Sequence, residues 1–148
     1  MAEHHFHLKA DWPGGRNDVG TLTADRLHTK ISIPPEMNGP GVGTNPDEML
    51  LGAAATCYII TLAAMLERKG ITPLSLSLDS EGVVDVTNGV FTYKKIIHRP
   101  LLELDRTLTD QQLDTVEILV EQAEKSCMIS RAIQGNVELE LDPIINVK

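Results

Sequence analysis

The chain has 148 residues, 42% of them apolar, with a formal net charge of −8 and two cysteines. That length suits one domain, expected here to span residues 1–148. The acidic balance argues against a nucleic-acid partner and against anionic membrane surfaces. With one Trp, two Tyr and two Phe, the core must be largely aliphatic.

No apolar signal-peptide core opens MAEHHFHLKADW, so a cytoplasmic location is expected, where two cysteines are reduced thiols rather than a structural staple. Glu3 to Asp11 alternates and predicts a strand with Phe6, Leu8 and Ala10 on one face. His5 and His7 fall on the other face. Two histidines make an incomplete metal site, and no third ligand lies nearby. Trp12 to Asp18 reads as a turn. Thr21 to Ala24 and Thr29 to Ile33 continue a meander. The Pro- and Gly-rich run from Pro34 to Gly43 predicts a rigid, non-helical loop.

The most informative stretch follows, GTNPDEMLLGAAATCYIITLAAMLERKG, from Gly43 to Gly70. Asn45 is a good N-cap, Pro46 suits the first helical position, and Glu48 stands where a capping-box carboxylate belongs. Gly70 marks the end. A helix from Pro46 to Lys69 would run roughly 36 Å. Met49 to Leu66 carries no charge, so every side of the helix needs cover. The uncharged length just reaches that of a membrane span. Gly52, Thr56, Thr61 and several alanines dilute its hydrophobicity, however, and the flanking aromatic belt is missing. The expectation is a buried central helix that one small chain cannot cover alone, which implies a partner subunit.

After Pro73, Leu74, Leu76 and Leu78 alternate with serines, and Val83 to Val86 continues the β region. Asn88-Gly89 is a strong hairpin turn. Val90 to His98 is the return strand, which Pro100 ends or places at a sheet edge. Thr109 and Asp110 open a second helix. Leu113, Val116, Val120, Ala123 and Cys127 form its apolar stripe. Met128 to Gln134 reads as a short further helix. Val137, Leu139 and Leu141 alternate in a last strand. The order of elements is α+β, built from antiparallel hairpins.

Each cysteine falls on the inward face of its own predicted helix. The plain reading is that both are small buried hydrophobes. The functional reading needs a thiolate at Cys57. Apolar surroundings and a mid-helix position should raise its pKa, so a cation or hydrogen-bond donors close by must offset the desolvation. Arg16, from a Gly-rich turn, and Arg131, four residues past Cys127, are the candidates. Asp47 and Glu48 precede Cys57 by ten and nine positions, or about 15 Å of helical rise, too far to touch it within one straight helix. No metal cluster, phosphate loop, dinucleotide fingerprint or nucleophile elbow is present in the sequence, and no cofactor is expected.

These residues resemble the OsmC/Ohr family of thiol-dependent hydroperoxide reductases, most closely its YmaD-like branch. GGRNDVG, GTNPDEMLLGAAATCY and SCMISRAIQGNVELEL carry the resemblance, which covers nearly the whole chain. It implies an OsmC-like α+β fold, with antiparallel sheets wrapped around two long central helices in an intertwined homodimer. It implies an organic hydroperoxide substrate, with Cys57 attacking the peroxide and Cys127 resolving the sulfenic acid as a disulfide. Arg16 matches the family's thiolate-stabilising arginine, and Asp47 its catalytic acid. That acid is usually Glu, so the neighbouring Glu48 is a second candidate. Met128 stands where a proline often follows the second cysteine. The reductant implied is a dithiol, a lipoylated protein in the Ohr branch. Two other classes compete with the enzyme: a redox-sensing or ligand-binding protein on the same fold, and a scaffold with inert thiols.

Overall fold

The computed structural model describes residues 2–148, which divide into two compact units, one ending at Met49 and the other running Leu50–Lys148. The first unit is a three-stranded antiparallel meander, β1 (Leu8–Asp11), β2 (Gly20–Ala24) and β3 (His28–Ile31). β1 is shorter than its alternation suggests. Its pairing ends at Leu8 opposite Ala24, because β2 turns there, with the Ala24 N–H donating to the Leu27 carbonyl at 2.7 Å. Phe6 consequently lies outside the strand and is 94% exposed. The Pro- and Gly-rich loop is not wholly non-helical. Pro35–Met37 form one turn of 3-10 helix, a conformation the fixed φ of proline favours. Buried Ser32 ties this loop back: its hydroxyl donates to the Val42 carbonyl and accepts from the Val42 N–H, both at 2.8 Å.

Helix α1 runs Pro46–Arg68. Asn45 caps it as expected, accepting from the Glu48 N–H at 2.9 Å. The Glu48 carboxylate takes the Thr44 hydroxyl at 2.7 Å. At the other end, the N–H groups of Gly70 and Ile71 bond back to Glu67 and Leu66, and Gly70 adopts the left-handed φ of +71° that this cap requires.

The second unit is built on a long hairpin, β4 (Ser75–Thr87) and β5 (Val90–Leu104), closed at Asn88 and Gly89. Both turn residues have positive φ, +53° and +74°, as a two-residue type I′ turn demands. A bulge opposite Val83 and Val84 adds one residue to β5. β5 does not stop at His98: it passes through Pro100 to Leu104. Its other edge explains why. β5 pairs there in parallel with β6 (Glu138–Leu141) over Lys95–His98, then with β7 (Ile144–Val147) over Leu101–Leu104. Pro100, which has no N–H to give, falls in the gap between these two partners. The second sheet is therefore mixed, not antiparallel throughout, and β7 is a strand the pattern of apolar residues does not announce.

Helix α2 (Asp110–Ser126) opens with a complete capping box between Thr109 and Gln112, and α3 (Met128–Ile133) follows it. Tyr58, Leu62 and Leu66 of α1 cluster with Leu102 and Leu104 of β5 and with Val116, Val120 and Ala123 of α2. The Tyr58 hydroxyl donates to the Val120 carbonyl at 2.9 Å, and burial holds its pKa above the usual tyrosine range. By length and composition α1 could cross a membrane; here one stripe of it is packed against β5 and α2 and hydrogen-bonded through Tyr58. Only the stripe is covered. Gly52, Ala53, Thr56, Ile60 and Ala63 are exposed, so the expectation of burial all round is not met within one chain.

Candidate active site

Cys57 lies near the middle of α1, one residue before buried Tyr58, and is itself half-buried. Cys127 is fully buried. It sits one step beyond the apolar stripe of α2, at the joint where α2 ends and α3 begins, with extended φ and ψ of −61° and 124°. The joint turns the chain so that Cys127 meets Cys57, seventy positions earlier in the sequence. The two thiols interact there, Cys127 lowering the pKa of Cys57 and Cys57 raising that of Cys127.

The balance at Cys57 differs from the sequence expectation. Burial pushes its thiol up, as expected, but the net shift is downward. The Cys127 thiol, the backbone N–H of Ile129, the Thr61 hydroxyl and the backbone N–H of Met128 together outweigh the desolvation. Within the second unit, then, hydrogen-bond donors rather than a cation favour the Cys57 thiolate. The same contact raises Cys127: burial pushes it up first, and its bond to Cys57 adds to this. The hydroxyl and N–H of Ser130 partly offset that rise. The two thiols thus shift in opposite directions, Cys57 down and Cys127 up.

Arg16 belongs to the first unit. Its turn is fixed by the Trp12 indole, which donates to the Gly15 carbonyl at 2.8 Å, and by Asp18, which accepts from the Gly15 N–H at 2.6 Å. The guanidinium donates to Asn17 Oδ1 at 2.8 Å and to the carbonyls of Met37 and Asn38 at 2.9 and 3.3 Å. Asp47 and Glu48 occupy the first turn of α1. Arg131 lies in α3 beside Ser130 and lines a cavity with Lys125; its charge is not among the causes that lower Cys57. No group of three or more His, Cys, Asp or Glu side chains fit to hold a metal occurs among the described residues.

Thr61 escaped the sequence reading, although its spacing of four from Cys57 on a helix would have pointed to it. The N–H groups of Met128 and Ile129 had no such signal, because side-chain identity does not report a backbone donor. A second constellation was also hidden. His98, fully buried in β5, stacks on Tyr58 with ring centroids 5.1 Å apart and meets Ser80 Oγ through Nδ1 at 2.7 Å. Its Nε2 has no hydrogen-bond partner among the described residues, and burial lowers its pKa.

The family described as OsmC-like protein matches residues 39–142. YmaD of Bacillus subtilis (strain 168) is 63% identical over 147 residues, covering 99% of this chain and 98% of that protein. Peroxiredoxin OsmC of Escherichia coli (strain K12) is 26% identical and covers 90% of each chain. The crystal structure of an organic hydroperoxide resistance protein OsmC from Legionella pneumophila superposes with a TM-score of 0.77 at 26% identity, covering 97% of this chain and 99% of that one. The chain belongs to the OsmC-like family.

Proposed function

We propose that this protein is a thiol-dependent peroxidase that reduces organic hydroperoxides. The observation that carries the reading is the meeting of the two cysteines, Cys57 in the middle of α1 and buried Cys127 at the joint of α2 and α3, with Cys127 and the N–H groups of Met128 and Ile129 lowering the Cys57 pKa. The names of relatives, a peroxiredoxin and organic hydroperoxide resistance proteins, support the substrate class.

In the proposed cycle the Cys57 thiolate attacks the outer peroxide oxygen. The O–O bond breaks, the alcohol leaves with a proton, and Cys57 becomes a sulfenic acid. The Cys127 thiol then attacks the Cys57 sulfur, water leaves, and a disulfide forms. A dithiol, such as a lipoylated protein, returns two electrons. Arg16 is assigned as the cation that orients the peroxide and thiolate, and Asp47 or Glu48 as the acid that orients Arg16, on the strength of the family resemblance. Arginine suits this role because its planar fork can serve a sulfur and a carboxylate together. The working form is a cytoplasmic homodimer.

One equivalent of cumene hydroperoxide should remove both free thiols, counted by mass spectrometry after alkylation. Cys57→Ser should abolish peroxide consumption. Cys127→Ser should permit one turnover and leave Cys57 oxidised. Two intact thiols after exposure of the native protein would rule the reading out.

A further inference from the structure

Tyr58 follows Cys57 on α1, and the peroxidase cycle gives it no part. It is fully buried, and every other buried side chain of its cluster is aliphatic. A phenylalanine would fill the same space without the cost of burying a hydroxyl, which is unfavourable unless the group is bonded. Here the hydroxyl donates to the Val120 carbonyl of α2 at 2.9 Å. A helical carbonyl already accepts from the N–H four residues on, and its second lone pair is free for such a bond. The ring stacks on His98 of β5, with centroids 5.1 Å apart and planes 19° from parallel, and His98 Nδ1 meets Ser80 Oγ of β4 at 2.7 Å. A polar thread therefore runs through the core from β4 through β5 and α1 to α2, and it passes one residue from Cys57.

That thread ends on the helix that leads to Cys127. Val120 precedes Cys127 by seven positions, or about 10 Å of helical rise. The Cys127 N–H still bonds to the Ala123 carbonyl at 3.0 Å, so α2 is continuous from Val120 to the joint. Beyond the joint come the N–H groups of Met128 and Ile129 that reach Cys57. Leu62, Leu66, Val116 and Ala123 also pack α1 against α2, but apolar contact has no direction and survives small slips of one helix along the other. The Tyr58 bond is directional and weakens steeply as its angle opens.

We propose that Tyr58 is a positioning residue, which holds α2 and the joint after it in register with α1 so that Cys127 stays within bonding reach of Cys57. The inference rests on the peroxidase reading for the use of that reach, the attack of the Cys127 thiol on the Cys57 sulfenic acid with loss of water. Its action is through α2 and not on the peroxide.

The test reads the closeness of the two sulfurs without peroxide. Native protein and Tyr58→Phe, which keeps the buried ring and removes only the hydroxyl, are equilibrated with mixtures of reduced and oxidised glutathione. One oxidised glutathione takes two electrons and two protons from the Cys57 and Cys127 thiols, leaving the protein disulfide and two reduced glutathiones. The equilibrium constant reports the effective concentration of one thiol at the other. It should fall about fivefold in Tyr58→Phe, the scale of one buried hydrogen bond. Ile71→Val, which trims the same core elsewhere, should leave it within about twofold of native. An unchanged constant in Tyr58→Phe, or an equal fall in Ile71→Val, overturns the proposal. So does a native protein in which no Cys57–Cys127 disulfide forms. In a Cys127→Ser background, Tyr58→Phe should also slow alkylation of Cys57 near neutral pH and shift its pH profile upward, because the N–H groups of Met128 and Ile129 ride on the same joint. A profile that coincides with the parent's overturns the hold on the joint. If the glutathione constants differ as expected in a protein that consumes no peroxide, the peroxidase reading fails and the positioning role stands.

Discussion

At the scale of the residue, the acidity of Cys57 is a contest between burial and four donors. Thr61 is the donor most open to test, since its hydroxyl sits on the same helix and its removal leaves α1 intact. Thr61→Val should raise the pKa of Cys57 and slow its alkylation by iodoacetamide near neutral pH. Arg16→Ala should do the same if the arginine serves the thiolate. The assay is the pH dependence of alkylation in a Cys127→Ser background, with Thr61 and Arg16 each compared with that parent. An Arg16→Ala titration that coincides with the parent would remove Arg16 from the activating role and leave the hydrogen bonds as sufficient. The sequence led to Cys57 and Cys127 through motif and spacing. It did not point to two further donors to Cys57, because they are main-chain groups of Met128 and Ile129, positioned by a turn at Cys127 that no side chain announces.

At the scale of the element, the caps were legible and the strand ends were not. Asn45, Gly70, Thr109 and the Asn88-Gly89 turn all act locally, and each structure forms where its residues predicted. β1 and β5 were misjudged because strand limits depend on the partner. β1 stops where β2 turns, and β5 continues past Pro100 because its second edge changes partner there. α1 shows a different limit of local reading. Its stripe Ala54, Tyr58, Leu62 and Leu66 is buried, while Ile60 on another side is 62% exposed. An uncharged helix face left to water is unfavourable by about 25 cal/mol for each Å² of apolar surface. A second copy of the chain is therefore expected to cover it. Sedimentation at low micromolar protein should give twice the mass of the chain, and Ile60→Glu should shift it toward the single-chain mass. A well-folded native monomer at that concentration would exclude the dimer.

At the scale of the whole molecule, His98 couples proton uptake to global stability. Its folded pKa lies below the value of 6.5 it has when exposed, because burial penalises the charged ring. Above that pH neither state binds the proton. As pH falls through about 6.5, the unfolded chain takes up a proton that the folded one resists, so stability declines. The contribution is thus present at neutral pH and lost toward the folded pKa, at a slope of up to about 1.4 kcal/mol per pH unit. Urea titrations at pH 7.5, 6.5 and 5.5 should show this decline, and His98→Phe, which keeps a ring against Tyr58, should flatten it. An equal slope in the variant would assign the decline to other groups.

The meeting of Cys57 with Cys127 also has a topological side. A bond between the two sulfurs would close a ring of chain some seventy residues around, enclosing β4, β5 and all of α2. Constraining a ring of that size in the unfolded ensemble is worth about 4 kcal/mol in the chain-entropy estimate. Each catalytic cycle would then alternate between a looser dithiol form, which binds peroxide, and a knotted-down disulfide form, which waits for its electron donor. Thermal melts of the diamide-treated and the dithiothreitol-treated protein should differ by several degrees, with the oxidised form higher. Coincident melts would mean that strain in the closed ring offsets its entropic advantage. A protein of this kind would meet oxidative stress, which threatens other folds, in its sturdier state.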